Sequence, residues 1–93
     1  MSERTDKLKA AIETMHKCTA QYVDSTPVFE TFQGNVIWDG VVDTFALTGN
    51  PKAQRCHAWT TDESVVTVLE IPPVDSPETA VKIAIASGQI TPA

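Results

Sequence analysis

The spacing of apolar residues changes once in the first half of this chain, and that change constrains the fold more than any other sequence feature. Before residue 23, apolar side chains recur every three to four positions, which is the period of an amphipathic α-helix; they are Leu8, Ala11, Ile12, Met15 and Tyr22. From Val28 onward the period becomes two, which is typical of β-strands. We therefore predict a helix over residues 3–22 followed by a sheet.

Turn-forming residues divide the remainder of the chain into short elements. Glycine, proline and small polar residues separate four predicted strands, over residues 28–32, 36–47, 53–60 and 65–71. A second helix is predicted to begin after Ser76, because serine is a good N-cap, Pro77 suits the first helical position, and Gly88 suits the end. Short connections make neighbouring strands antiparallel. The sequence thus predicts one α+β domain over residues 1–93, a four-stranded antiparallel meander flanked by an N-terminal and a C-terminal helix.

Two expectations about packing follow from this arrangement. We expect both helices to cover the same face of the sheet. Along the second strand, Trp38 and Val42 share one face, whereas Phe45 and Leu47 share the other. A bulge or bend between residues 40 and 44 would bring all four to the buried face, because one inserted residue exchanges the two faces.

The charge balance argues against nucleic acid as a partner. Seven basic against twelve acidic residues give a net charge of −5, and residues 21–93 carry only three bases against nine acids. Binding to a phosphate backbone needs a basic stripe. The order of elements resembles that of double-stranded-RNA-binding domains, yet the second helix starts with Asp75 and Glu78, whose charge would repel phosphate.

The sequence also predicts the compartment. No apolar run approaches the roughly 20 residues that a membrane helix needs. The first nine residues alternate in charge, unlike a secretory signal. We therefore expect a cytoplasmic protein with no membrane partner. Thiols are normally reduced in that compartment, so Cys18 and Cys56 are expected to be free.

A pattern of spaced residues runs through the middle of the chain. It reads W-x-G-x-V-x-x-F-x-L-x-G-x-P-x-A from Trp38 to Ala53, and Ala58-Trp59 follows it. In this pattern the chain resembles a group of small uncharacterised bacterial proteins, over about half of its length. The resemblance implies a bacterial origin and brings no activity, cofactor or site residue with it.

One group of residues stands out as a candidate ligand site. Arg55, His57 and Trp59 alternate along the third predicted strand and therefore share a face. A cation, a titratable ring and a large aromatic side chain on one open face could hold a small anion or a flat ligand. In the alternative, Trp59 completes the core while Arg55 pairs with Asp39 or Asp43 on the neighbouring strand.

Other chemistry-bearing residues have spacings that argue against a site. Cys56-His57 and His16-x-Cys18 contain the ligand types of a zinc site, but neighbours on a strand point to opposite faces and residues two apart on a helix diverge. A nucleophilic pair of Cys18 with His57 has no supporting motif. Asp39 and Asp43, with Glu30 nearby across the first hairpin, are expected to put two or three carboxylates on a solvated sheet face. We predict no metal, no cofactor and no catalytic residue.

These observations favour a small interaction or regulatory module. One helical layer would hide one sheet face, and the uncovered face would be a site for self-association. We expect a homodimer, or binding to a protein partner, with Trp38, Phe45 and Trp59 at the interface. The sequence leaves open whether sheet faces or strand edges pair. A small-molecule-binding protein that uses Arg55, His57 and Trp59 is the alternative, and an enzyme ranks behind it.

Overall fold

A computed structural model describes residues 3–61 and 64–87 of the chain. The elements follow one another as α1 (Glu3–His16), β1 (Thr19–Phe32), β2 (Asn35–Thr48), β3 (Arg55–Thr60), β4 (Val65–Leu69) and α2 (Pro77–Ala86). The four strands form one antiparallel sheet in the order β1-β2-β3-β4. This confirms the predicted α+β meander with a helix at each end. None of the described helices is long and apolar enough to cross a membrane.

The first helix is shorter than predicted, and the first strand is much longer. Lys17 has a positive φ of 52°, which ends α1. Residues 19–27 then pair with β2, so that Tyr22, predicted as helical, lies opposite Phe45. Pro27 lies in the middle of β1. A proline without an N–H is tolerated there because β1 is an edge strand.

The β1–β2 connection is the tight turn that the sequence predicts. Gln33 and Gly34 occupy the two central positions with φ values of 52° and 80°. Two successive residues with positive φ are typical of a type I′ turn, whose twist matches that of the flanking strands. The result is a long hairpin with strands of 14 residues each.

The two helices pack on opposite faces of the sheet, which corrects the expectation that both cover one face. Leu8 and Ile12 of α1 lie in a core with Ala58 of β3. Val81 of α2 lies in a second core with Trp59 of β3. Because consecutive strand residues point to opposite faces, Ala58 and Trp59 belong to different faces. We name these the α1 face and the α2 face.

The apolar pattern of β4 explains why two covers are needed. Val65 and Leu69 pack in the core of the α1 face, and Val66 and Val68 are buried in the core of the α2 face. A strand with apolar residues on both sides is stable only when both sides are covered. Apolar residues on both sides of a strand fit either a central strand or one that is covered twice, and β4 is an edge strand with both faces covered.

Coverage of both faces also removes the reason for a bulge near residue 42. Val42 is buried on the α2 face and Phe45 on the α1 face, so β2 keeps a regular alternation between them. The β1–β2 pairing has two register shifts elsewhere. One lies between Tyr22 and Asp24 of β1, and the other lies between Glu30 and Thr31, whose partners on β2 are Trp38 and Val36. The predicted bulge between residues 40 and 44 is wrong.

The second helix begins as predicted. The Ser76 hydroxyl accepts a hydrogen bond from the backbone N–H of Thr79, and the Thr79 hydroxyl in turn accepts one from the backbone N–H of Ser76. Pro77 occupies the first helical position. Gly88, predicted as the C-terminal cap, lies outside the described residues.

Candidate functional site

The structure separates the three residues of the predicted ligand site. Arg55, His57 and Trp59 lie on the α2 face, but only Arg55 is exposed. Trp59 is buried in the core, where its ring meets that of Trp38 edge-to-face with the centroids 5.5 Å apart. His57 is 1% exposed. Trp59 therefore completes the core, which is one part of the alternative, and the three side chains form no common open surface.

His57 is the centre of a buried chain of hydrogen bonds. Its Nδ1 lies 3.0 Å from the Thr44 hydroxyl, and its Nε2 lies 3.0 Å from Oε1 of Glu70. A carboxylate only accepts hydrogen bonds, so Nε2 carries the proton and donates a hydrogen bond to Glu70. In the neutral ring, Nδ1 then accepts the hydrogen bond of the Thr44 hydroxyl. Both ring nitrogens are thereby satisfied.

Sequence reasoning missed both partners of His57. Thr44 lies directly opposite His57 in the β2–β3 register, but that register depends on where each strand begins. Glu70 comes directly after β4 and continues the alternation of Val66 and Val68. This alternation places Glu70 on the α2 face. It is the polar residue that ends an otherwise apolar pattern.

An open cavity of about 360 Å³ lies beside this chain of hydrogen bonds. Its lining comes from the β2–β3 connection and the end of β4: Asn50, Pro51, Lys52, Ala53, Gln54 and Glu70. The Asn50 side-chain oxygen accepts hydrogen bonds from the backbone N–H groups of Lys52 and Ala53, which fixes the loop. Glu70 belongs both to the cavity lining and to the buried chain, so it connects the cavity with His57.

A second polar cluster lies on the α1 face. Asp43 is fully buried, and its two carboxylate oxygens accept hydrogen bonds from Nε and Nη2 of Arg4, each 3.1 Å long. The Ser25 hydroxyl also donates to Asp43, and the Tyr22 hydroxyl lies 2.6 Å from Ser25. The prediction that Asp43 lies on a solvated face is wrong, because the start of α1 covers this part of the sheet. Asp43 pairs with Arg4 and not with Arg55.

The three carboxylates predicted to share a face do not meet. Glu30 lies opposite Trp38, on the α2 face, and its carboxylate is 3.9 Å from the Lys82 ammonium. Asp39 and Asp43 lie on the α1 face, but only Asp39 is exposed. No coupled acid pair arises from this group.

Both cysteines are free, as the sequence predicts. Cys56 is buried, and burial raises the pKa of its thiol to about 12. Cys18 packs against the core of the α1 face, whereas His57 belongs to the α2 face, so the two cannot form a nucleophilic pair. In residues 3–61 and 64–87 there is no group of three or more His, Cys, Asp or Glu side chains placed to hold a metal ion.

The residues predicted for an interface are core residues instead. Phe45 and Trp59 are at most 2% exposed, and Trp38 is partly buried against the core of the α2 face. Their burial follows from the coverage of both faces by helices. None of the three presents a full aromatic face to a partner.

Three exposed apolar residues lie on the outer half of the hairpin. Phe29 is 60%, Val36 46% and Val41 42% exposed. Pro27 lies opposite Val41, so both share the α1 face with Phe29, and the register shift that leaves Ile37 without a partner puts Val36 opposite Thr31 and therefore on the same face. We call Pro27, Phe29, Val36 and Val41 the hairpin patch.

Comparison with known proteins gives no relative. The chain matches no family model, and no curated protein or solved structure is significantly similar to it. The function therefore has to be argued from the hairpin patch, the buried chain and the cavity themselves.

Proposed function

We propose that this chain is a small interaction module that forms a homodimer through the hairpin patch. The observation that supports the proposal is the exposure of Phe29, Val36 and Val41 side by side on one face. Scattered apolar residues on a surface are ordinary, whereas several exposed apolar residues on one face of a sheet are typical of a contact with another protein. Its uncovered position on the hairpin makes it accessible to a second copy.

The charges around the hairpin patch favour a second copy over an unrelated partner. Arg4 lies at the inner end of the patch, and its side chain is 47% exposed. Asp39 lies opposite Phe29, in the middle of the patch, and is also exposed. The pair of Pro27 and Val41 lies midway between these two charges. A twofold axis that passes near this pair brings Arg4 of each copy to Asp39 of its partner, so that the two surfaces are complementary in charge.

The two strand edges differ in their suitability for pairing. β1 carries Pro27, which lacks an N–H, and a register shift at Tyr22 and Asp24, and both features oppose the addition of another strand. β4 is the other edge. The Glu70 N–H donates to the Arg55 carbonyl, so the backbone groups of Glu70 point towards β3. Backbone groups of successive residues point alternately towards and away from a neighbouring strand, so those of Thr67, three residues earlier, point away from β3. Pairing through β4 is the competing mode that an experiment has to separate from the patch.

Phe29 and Phe32 provide a matched pair of variants for the test. Both are phenylalanines on β1 with similar exposure, 60% and 63%, and they point to opposite faces because they are three residues apart. Each Phe29→Ser change removes about 1.5 kcal/mol of apolar burial, and it occurs twice per dimer. We therefore expect Phe29→Ser to weaken the dimer by about 100-fold and Phe32→Ser to leave it unchanged. Sedimentation equilibrium over a hundredfold dilution measures both.

A further pair of variants tests the β4 edge. Thr67→Pro removes the outward N–H, and Thr67→Val keeps that N–H while losing the same hydroxyl. If only Thr67→Pro abolishes the dimer, β4 pairs and the proposal for the patch is wrong. A wild-type mass of 10.1 kDa at every concentration would refute self-association altogether.

We further propose that the module acts in the cytoplasm of a bacterium. The free thiols of Cys18 and Cys56 support a reducing compartment. Measuring the mass of the protein alkylated in intact cells tests this part, because a disulfide or another oxidised thiol would contradict it. The net charge of −5 supports partners other than nucleic acid.

A further inference from the structure

The cavity beside Glu70 combines one fixed negative charge with one positive charge. Glu70, at the end of β4, and Lys52, in the β2–β3 connection, are the charged residues of its lining. The other polar side chains of the lining, Asn50 and Gln54, are neutral amides. Since the Asn50 oxygen is engaged by the loop backbone, its NH₂ group is the part left to a ligand.

Two buried residues, His57 and Thr44, hold Glu70 in place. His57 donates to its Oε1, and Thr44 in turn orients the ring of His57. Burial of these polar groups costs stability unless every one of them is paired. The hydrogen bonds between Thr44, His57 and Glu70 provide that pairing. The Glu70 side chain is 27% exposed and lines the cavity, while one of its carboxylate oxygens is fixed by His57. Such a preorganised charge is what a binding site for a charged group requires.

We infer that this cavity binds a small zwitterion with an ammonium and a carboxylate group, of the kind that a free α-amino acid carries. The two charges of the lining decide between ligand classes. A simple amine would be attracted by Glu70 and repelled by Lys52. A simple carboxylate would be attracted by Lys52 and repelled by Glu70. Only a ligand with both charges is matched to both residues.

The size and position of the cavity agree with this class of ligand. Ligand sites have volumes of about 300–1,000 Å³, and the cavity of about 360 Å³ lies at the lower limit. Its lining is predominantly polar, which suits a ligand with a small or polar side chain. His57 does not touch the ligand; it is a positioning residue that acts through Glu70. The site lies on the α2 face and does not involve the hairpin patch, so it stands independently of the proposed dimer.

Three small probes that differ in their charged groups test the inference on the full chain by NMR titration. L-Alanine carries both charges, propylamine carries only the ammonium group, and propionate carries only the carboxylate. We expect L-alanine to shift the resonances of residues 50–54 and of the His57 ring. Propylamine and propionate should each bind about tenfold more weakly or worse, because each loses one charge pair.

Two variants of the site and two matched controls complete the experiment. Glu70→Gln and Lys52→Gln should each weaken L-alanine binding by about tenfold, whereas Glu78→Gln and Lys82→Gln, which make the same changes on α2, should not. Thr44→Val should weaken binding while leaving the charges of the site unchanged. Equal binding of propylamine and L-alanine would overturn the zwitterion assignment. If none of the three probes shifts residues 50–54, the cavity is not a site for this ligand class.

Discussion

Replacement of Thr44 by valine isolates one hydrogen bond in the buried chain. Valine has nearly the shape of threonine, so the core of the α2 face keeps its packing while the hydroxyl is lost. Thr44 is 3% and His57 1% exposed, so no water can replace the missing donor. Nε2 must keep its proton for Glu70, so Nδ1 stays a buried acceptor without a partner.

The expected cost is that of a buried polar group left unpaired, about 1–3 kcal/mol. For a chain this short, an m value of about 1 kcal/mol per molar urea converts a loss of ~2 kcal/mol into a midpoint lower by about 2 M. The m value itself should not change. Urea unfolding followed by tryptophan fluorescence measures both quantities, at one protein concentration because self-association adds stability by mass action.

Thr44→Ser is the control for this prediction. It keeps the hydroxyl and loses one methyl group, so it should cost about 0.8 kcal/mol. The order of stability is then wild type, serine variant, valine variant. If the valine variant is as stable as the wild type, the hydrogen bond from Thr44 to His57 contributes nothing, and the preorganisation of Glu70 loses its support.

Two further predictions concern a thiol and a carboxylate. In the native protein at pH 8, N-ethylmaleimide should label the half-buried Cys18 and spare Cys56, because burial raises the pKa of the Cys56 thiol to about 12. Peptide mass spectrometry measures the labelling of each cysteine. Equal labelling of the two would contradict the burial of Cys56. Glu13 accepts hydrogen bonds from the Ala20 backbone N–H and from Lys9, which lower its pKa below the ordinary value of 4.5. Its charge therefore stabilises the fold above about pH 4.5, and this contribution is lost as the pH falls through the folded-state pKa. Glu13→Gln should lower the urea midpoint at pH 7 and leave it unchanged at the acid limit; a difference independent of pH would show that the charge plays no part.

The elements were predictable where local chemistry decides them. The Ser76 cap, the turn at Gly34 and the alternation of β4 each depend on a few neighbouring residues, and the structure contains all three. The end of α1 was not predictable in the same way. Residues 19–22 fit a helical period, and their pairing with residues 45–48 of β2 outweighs that local preference.

The site depended on contacts between residues distant in sequence. The shared face of Arg55, His57 and Trp59 was correctly predicted, but alternation along a strand does not state what covers that face. The position of α2 decides that Trp59 is core. Likewise Arg4 and Asp43 are 39 residues apart, and only the placement of α1 brings them together. The burial of a side chain depends on how the helices pack on the sheet, and the spacing of residues along one strand does not predict that packing.

The type I′ turn has a consequence for the order in which the chain folds. Strands joined by two residues close in about 1–10 μs, because little chain entropy has to be lost first. α1 packs against β3 and β4 as well as against the hairpin, and α2 follows all four strands in the chain. We therefore expect the hairpin to form early, during synthesis as well as in refolding, and α2 to dock after the last strands have been added. Until then Val28 and Val42, which lie in the core of the α2 face, lack the cover that α2 provides, so the nascent chain exposes more apolar surface than the finished protein does.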